Sequence, residues 1–169
     1  RTGKLMGVFA QEVADERGYT REAMDNFAIN SLNKAKAAIE NGKLKAEIVP
    51  VTVTSRRGEV TTSDDEQPHQ ANIEKIPSLR PAFKKDGTIT AANASSISDG
   101  AAAMVITTEE KAKELGATPL ARIVAHTQHA QEPAWFTTAP VAAIQKLLDK
   151  TGWSVADVDL FEINEAFAV

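Results

Sequence analysis

A layered α/β fold is what this sequence predicts, on three observations. The first forty residues carry two apolar stripes at three- and four-residue spacing, the period of helices with one buried face. A β-branched stretch broken by a turn follows them. Beyond residue 100, strand-like apolar runs alternate with helix-like ones, and that alternation implies helices packed on a sheet. No internal repeat or low-complexity segment interrupts the pattern.

The elements follow in order. Met6, Phe9, Ala10, Val13 and Ala14 mark a first helix running to Arg17, and Gly18 punctuates it. Thr20 is a good N-cap for a second helix, with Glu22 in its first turn, where an anion meets the positive end of the helix dipole. Its stripe is Met24, Phe27, Ala28, Leu32, Ala35, Ala38 and Ile39, and Gly42 sits where a left-handed ending belongs. Residues 48–54 are rich in Val and Thr, and Arg56-Arg57-Gly58-Glu59 reads as a turn into Val60-Thr61-Thr62, so a short hairpin is expected. Residues 63–72 are polar and predict a loop. Pro77 and Pro81 forbid a long helix over 73–83.

Asp86-Gly87 then turns the chain into Thr88-Ile89-Thr90-Ala91. Ala102–Thr107 reads as a buried strand, and Thr107 to Glu110 as a capping box for a helix running to Leu115, stopped by Gly116. Residues 121–125 predict another strand. Pro140 stands at the start of a helix with stripe Val141, Ile144, Leu147 and Leu148, closed by Gly152. Residues 158–163 predict a strand that feeds directly into Asn164-Glu165-Ala166-Phe167.

Composition narrows the function classes. The 169 residues are enough for one or two modest domains, and 43% apolar with 25% charged residues is ordinary for a globular protein. A net charge of −4 argues against a broad basic face for nucleic acid. No apolar run approaches the roughly 20 residues of a membrane helix, so a soluble protein is expected. The chain contains no cysteine, which removes disulfides, zinc–thiolate sites and thiol nucleophiles from within it. It opens Arg1-Thr2-Gly3-Lys4 without methionine and closes on Ala166-Phe167-Ala168-Val169 with no helix stop. Both ends read as cuts, and an internal segment of a longer chain is expected.

Two segments are candidates for chemistry. In residues 88–103 a strand runs into Asn93-Ala94-Ser95-Ser96, then Asp99-Gly100 and an alanine run. Small residues let another group approach the backbone, and exposed amides and hydroxyls can bond a polar ligand. A tight connecting loop explains the same composition. At Asn164-Glu165-Ala166-Phe167 the chain leaves a predicted strand, the end at which α/β proteins gather ligands. Asn164 there fits either a helix N-cap or a group that holds a water or a substrate oxygen.

Other features are weaker. His126 and His129 lie three apart near a strand end and would face opposite sides, which disfavours a shared metal. Asp64-Asp65-Glu66 lacks the regular oxygen spacing of a calcium loop. Arg56-Arg57 at a hairpin tip reads as a solvated turn, with a phosphate contact as the alternative.

Taken together the two segments resemble the signatures of the thiolase family. Thr90 to Ala103 is similar to the family's middle signature, and Asn164-Glu165-Ala166-Phe167-Ala168 to its Asn-Glu-Ala-Phe motif. Met6-Gly7, Glu47-Ile48-Val49-Pro50, Leu79-Arg80-Pro81-Ala82-Phe83 and Ala121-Arg122-Ile123 fall in the family's order. The resemblance covers essentially the whole chain. It implies a partial thiolase-like α-β-α layered fold with an α+β loop domain over residues 1–96. Residues 97–118 would be the last strand and helix of the N-terminal half, and 119–169 the start of the C-terminal half.

The same resemblance implies acyl transfer between CoA thioesters through a cysteine thioester, most closely that of an acetyl-CoA acetyltransferase. Asn164 would hold a water in an oxyanion hole. Ser95 would bond the pantetheine arm of coenzyme A. Leu79, Phe83, Ala91, Ala166 and Phe167 would wall the pantetheine and acyl tunnel, with Phe136 beside the acyl group. No metal or prosthetic group is implied, because acetyl-CoA or 3-ketoacyl-CoA is the substrate. A homodimer or homotetramer is implied, without nucleic acid or membrane, and cytoplasmic with mitochondria or peroxisomes as alternatives.

Four positions depart from the family pattern. Ser96 replaces a glycine, Phe136 a methionine, His69 an arginine of the acidic loop, and Leu5 a histidine. The nucleophilic cysteine would lie before Arg1, and the activating histidine and second cysteine after Val169. This segment alone is therefore expected to be inactive. The alternatives are a CoA-binding or scaffold relative without a nucleophile, and a stand-alone α/β domain.

Overall fold

Two helices form the first part of the chain, and the computed structural model, which describes residues 3–169, shows what sets their ends. Helix α1 spans Met6–Arg17 and α2 spans Arg21–Glu40. Gly18 adopts φ 66°, and the amides of Gly18 and Tyr19 fold back onto the carbonyls of Asp15 and Ala14. This Schellman ending needs a left-handed residue, which glycine supplies without a Cβ penalty. Thr20 then caps α2 by accepting the Ala23 N–H at 3.1 Å. α2 ends one residue before the expected glycine position: Asn41 is the cap, and Gly42 follows at φ 63°.

Helix α1 buries Gly7, Ala10, Gln11, Val13 and Ala14. Met6, expected in that stripe, is 58% exposed. α2 buries only Met24 and Asp25, while Ala28, Leu32, Ala35 and Ile39 are half-buried and Phe27 is exposed. Ala10, Ala14, Met24 and Ile89 form the core, with Phe83, Ala94, Phe167, Ala168 and Val169 packed against it. A helix pair thus closes over a loop and the end of the chain.

The hairpin forms as expected but is shorter. β1 (Val51–Ser55) pairs antiparallel with β2 (Gly58–Thr62), from Val51↔Thr62 to Ser55↔Gly58, around an Arg56-Arg57 turn. Residues 48–50 lie outside the ladder, where Pro50 has no N–H to donate. Both faces of the hairpin are exposed. The expected polar loop contains a short helix, α3 (Glu66–Gln70), which its polar sequence concealed because no apolar stripe runs along it. A 3-10 turn over Ile73–Ser78 follows, and Gly87 N–H closes the expected turn onto the Lys84 carbonyl.

Two compact units result, one from the described residues up to Ser95 together with Glu165–Val169, the other Ser96–Asn164. In the second unit α4 spans Glu109–Glu114. Its cap is Thr108, whose Oγ1 accepts the Lys111 N–H at 3.2 Å, so the expected Thr107–Glu110 box is displaced by one residue. The first-turn acids Glu109 and Glu110 still favour a helix start there. A 3-10 turn (Pro133–Thr138) leads into α5 (Ala139–Thr151). Thr127 Oγ1 donates to the Ala143 carbonyl at 2.9 Å and Lys150 Nζ to the His126 carbonyl at 3.1 Å, fastening residues 126–127 to α5. After α5, Ser154 donates its main-chain N–H and hydroxyl to Asp157, and these bonds hold that carboxyl below the ordinary range.

The expected strands at 102–107, 121–125 and 158–163 form no ladder among the described residues. Val105 is 97% exposed and Leu160 89%. The sequence pattern is that of buried strands, but a strand is defined by its hydrogen-bonded partner, and none of these three pairs with another. No helix among the described residues is long and apolar enough to cross a membrane.

Candidate functional site

The loop from Thr88 to Ser95 is suspended on buried polar side chains. From α1, Gln11 Oε1 accepts the main-chain N–H groups of Thr88 and Ile89 at 2.8 and 3.0 Å. Its Nε2 donates to Thr88 Oγ1 and to Asp15 Oδ1. Lys84 also bonds Asp15, at 2.6 Å, and this ammonium is the main cause that holds the Asp15 carboxyl low; the same bond raises Lys84.

Asn93 is the second anchor. Its Oδ1 accepts the Thr90 N–H at 2.8 Å, and its Nδ2 donates to Asp25 Oδ1 at 2.9 Å and to the Thr88 carbonyl at 3.0 Å. The other oxygen of Asp25 accepts Arg21 Nε at 2.6 Å, and the Arg21 guanidinium reaches the Ile76 carbonyl at 2.9 Å. Asp25 is only 5% exposed at its side chain, so its charge is compensated by a partner on each oxygen.

The end of the chain is stitched to this loop. The Asn93 carbonyl accepts the Ala168 N–H, and the Ser95 N–H donates to the Ala166 carbonyl, both at 2.9 Å. Ala94 and Phe167 form an antiparallel bridge. Phe167 meets Phe83 edge to face, with centroids 6.4 Å apart. Glu165 accepts a hydrogen bond from Ser31 of α2 at 2.6 Å. Phe83 in turn lies against Gly7, so closely that a Cβ there would stand 2.2 Å from its ring.

Of the residues predicted from sequence, Ser95, Phe83, Ala166 and Phe167 come together here. Leu79 and Ala91 flank them on two segments joined by the Ala82 N–H to Ile89 carbonyl bond of 2.9 Å. Leu79 is half-buried and Ala91 exposed. Phe136 is half-buried on the Pro133–Thr138 turn, and Asn164 is exposed at the end of the second unit. No helix follows Asn164, so it caps nothing. The Ser95 hydroxyl and the Asn164 side-chain amide have no hydrogen-bond partner among the described residues, and both residues are exposed.

His129 sits between Lys146 Nζ and Gln131 Oε1 on the exposed surface, while His126 contributes its carbonyl to Lys150. Arg56 and Arg57 are exposed at the hairpin tip, and Asp65 makes no side-chain cap at α3. Among the described residues no three His, Cys, Asp or Glu side chains gather as metal ligands would.

Gln11, Arg21 and Asp25 were not singled out from sequence. A glutamine and an aspartate each sit beside an apolar stripe position, next to Ala10 and Met24, and sequence alone does not distinguish such a site from a helix flank. Gly7 carries a clearer signal, since a glycine inside a helix costs about 1 kcal/mol and calls for a packing reason.

Comparison with known proteins adds an independent line. The chain matches the family model for the thiolase N-terminal domain over residues 1–110 and that for the thiolase C-terminal domain over residues 117–169. It is 47% identical, over 96% of its length, to a probable acetyl-CoA acyltransferase of Staphylococcus aureus. It superposes on the acetyl-CoA acetyltransferase of Bacillus anthracis with a TM-score of 0.94 and 46% identity over 98% of the chain. A thiolase of Ascaris suum, solved in complex with coenzyme A, matches over 98% of the chain with a TM-score of 0.89 and 40% identity. The chain spans 42% of the length of each of these relatives.

Proposed function

This chain belongs to the thiolase family, and on that premise we propose that the protein containing it transfers acyl groups between coenzyme A thioesters. One observation carries the reading. Two motifs some seventy residues apart in sequence, around Ser95 and around Ala166, are joined in one unit by the Ser95–Ala166 hydrogen bond and the Ala94–Phe167 bridge. A connecting loop needs no such partner, and the open Ser95 hydroxyl beside the seam suits a polar ligand arm.

The reaction we propose has two half-reactions. In condensation a cysteine sulfur outside this chain attacks the thioester carbon of one acetyl-CoA, the bond to the CoA sulfur breaks, and CoA leaves as the thiol. In thiolysis the same sulfur attacks the 3-keto carbon of 3-ketoacyl-CoA, the bond to the α-carbon breaks, and acetyl-CoA leaves once that carbon is protonated. The acyl–cysteine bond then breaks as the acyl group passes to its acceptor, which is the CoA sulfur in thiolysis or the α-carbon of a second acetyl-CoA in condensation. The proton the acceptor loses is taken up by the enzyme. Charge builds on the thioester oxygen in each direction. Asn164 holds the water that donates to this oxygen. Loss of one such donor costs about 2.7–4 kcal/mol of barrier. Ser95 bonds the pantetheine arm, while Leu79, Phe83, Ala91, Ala166 and Phe167 line the tunnel and Phe136 bounds the acyl group. Coenzyme A acts as substrate, with no further cofactor or metal. The residue limits 1–96, 97–118 and 119–169 are the loop domain, the end of the N-terminal half and the start of the C-terminal half. A cytoplasmic homodimer or homotetramer completes the reading, the compartment being supported by the bacterial relatives.

The test is thiolysis of acetoacetyl-CoA by the complete protein, followed as loss of enolate absorbance. Asn164→Ala is expected to lower kcat about 100-fold with little change in KM. Ser95→Ala is expected to raise KM for CoA. A complete protein that binds CoA without turnover would establish the scaffold reading instead, and one that binds no CoA would sink both.

A further inference from the structure

We infer that Asn93 is a positioning residue that fixes Ser95 for the CoA arm, with Asp25 and Arg21 holding Asn93 in place. Asn93 is 3% exposed, and its side chain uses one acceptor and both donors. A primary amide offers two donors and two acceptor lone pairs, so only one lone pair is left over. Its partners lie on different segments: Asp25 on α2, and Thr88 and Thr90 before the motif. Its carbonyl adds Ala168 beyond it. Ser95 is two residues away, and its own N–H is tied to Ala166 in the same short ladder. The backbone leading into Ser95 is therefore set by Asn93 two residues before it and by the Ser95 N–H bond to the Ala166 carbonyl.

The network also reaches a tunnel wall. Arg21 bonds Asp25 and the carbonyls of Ile76 and Pro77, just before Leu79. A neutral main-chain bond ties the end of the chain to Asn93, and charge-assisted bonds run from Asn93 through Asp25 and Arg21 to the Ile76 and Pro77 carbonyls. Such bonds are shorter and about twice as strong as neutral ones. No isostere of Asn93 preserves the set: aspartate turns both donors into acceptors against Asp25 and the Thr88 carbonyl, and leucine leaves all three partners unsatisfied.

This inference rests on the pantetheine role proposed for Ser95, and a double-mutant cycle in the complete enzyme separates the two. KM for CoA and kcat are measured for Ser95→Ala, Asn93→Ala and the double variant. Loss of one hydrogen bond to the arm corresponds to a rise in KM of about five- to tenfold. Asn93→Ala is expected to raise KM by a similar factor with kcat nearly unchanged, and to add little in the Ser95→Ala background. Multiplied effects in the double variant would overturn the positioning role, because a purely structural residue acts whether or not the hydroxyl is present. An unchanged KM in Ser95→Ala would instead remove the premise and with it the inference. Asn93→Ser, whose hydroxyl can still donate and accept, is read in place of Asn93→Ala where the latter does not fold, with the same expectation. Failure of both to fold would assign Asn93 to stability alone.

Discussion

Gln11 holds Thr88 by both of its amide atoms: Oε1 accepts the Thr88 main-chain N–H at 2.8 Å while Nε2 donates to Thr88 Oγ1 at 3.0 Å. The same oxygen serves the Ile89 N–H, and Ile89 is fully buried. Removing the side chain leaves the buried Ile89 amide and the half-buried Thr88 amide without their partner. A buried donor so orphaned costs about 1–3 kcal/mol. Gln11→Ala is therefore expected to destabilise the first unit by about 2–4 kcal/mol. Hydrogen exchange at the Thr88 and Ile89 amides is the direct measurement, and unchanged protection there would refute the clamp.

Gly7 gives a steric counterpart. Its hydrogen lets the Phe83 ring lie on the helix backbone, and a methyl group would enter that ring at 2.2 Å. Phe83 cannot withdraw freely, because it packs edge to face on Phe167. Gly7→Ala should cost about 1–3 kcal/mol by overpacking, although alanine is the better helix former. A more stable Gly7→Ala variant in denaturant titration would mean that Phe83 is not held where it is seen.

The Asp15–Lys84 pair makes the loop anchor sensitive to acid. Asp15 is depressed below its ordinary 3.8, chiefly by the Lys84 bond and further by Gln11. A depressed folded-state value means that the carboxylate stabilises the fold above the unfolded value, and that this contribution is lost as pH falls through the folded one. Lys84 is raised by the same contact, so its share is present throughout the neutral range and is lost only in alkali. Thermal midpoints of the parent and Asp15→Asn should differ near neutral pH and converge in acid. A gap that persists well below the Asp15 titration would contradict the assignment.

How much of this was legible in the sequence varies by cause. Thr20, Gly18 and Gly42 announce helix ends because capping is decided by the residue itself and its nearest neighbours. The hairpin around Arg56-Arg57 is readable for the same reason. Thr107 and Thr108 are adjacent and chemically equal, so the cap of α4 was misplaced by one residue. Residues 102–106 and 158–163 have strand composition, yet composition carries no information about whether a partner strand is at hand. At the candidate site, Ser95 and Phe167 stand in recognisable motifs, but Gln11 and Asp25 find their partners only on segments some seventy residues away. Local pattern cannot express that distance.

Those unpaired segments lead to the last prediction. Met104, Val105 and Ile106 are 86%, 97% and 72% exposed, and Leu120 and Leu160 are similarly bare. Consecutive apolar residues with free main-chain donors and acceptors invite pairing with another chain. Each exposed side chain of this size forgoes about 1.5–3 kcal/mol of burial. Residues 1–169 expressed alone should therefore self-associate, bind an apolar-surface dye and unfold without a sharp transition. Supplying the remaining polypeptide should suppress all three. Sedimentation of the isolated chain decides it, since a monomer with cooperative unfolding would show that these runs are stable in water and need no further strands.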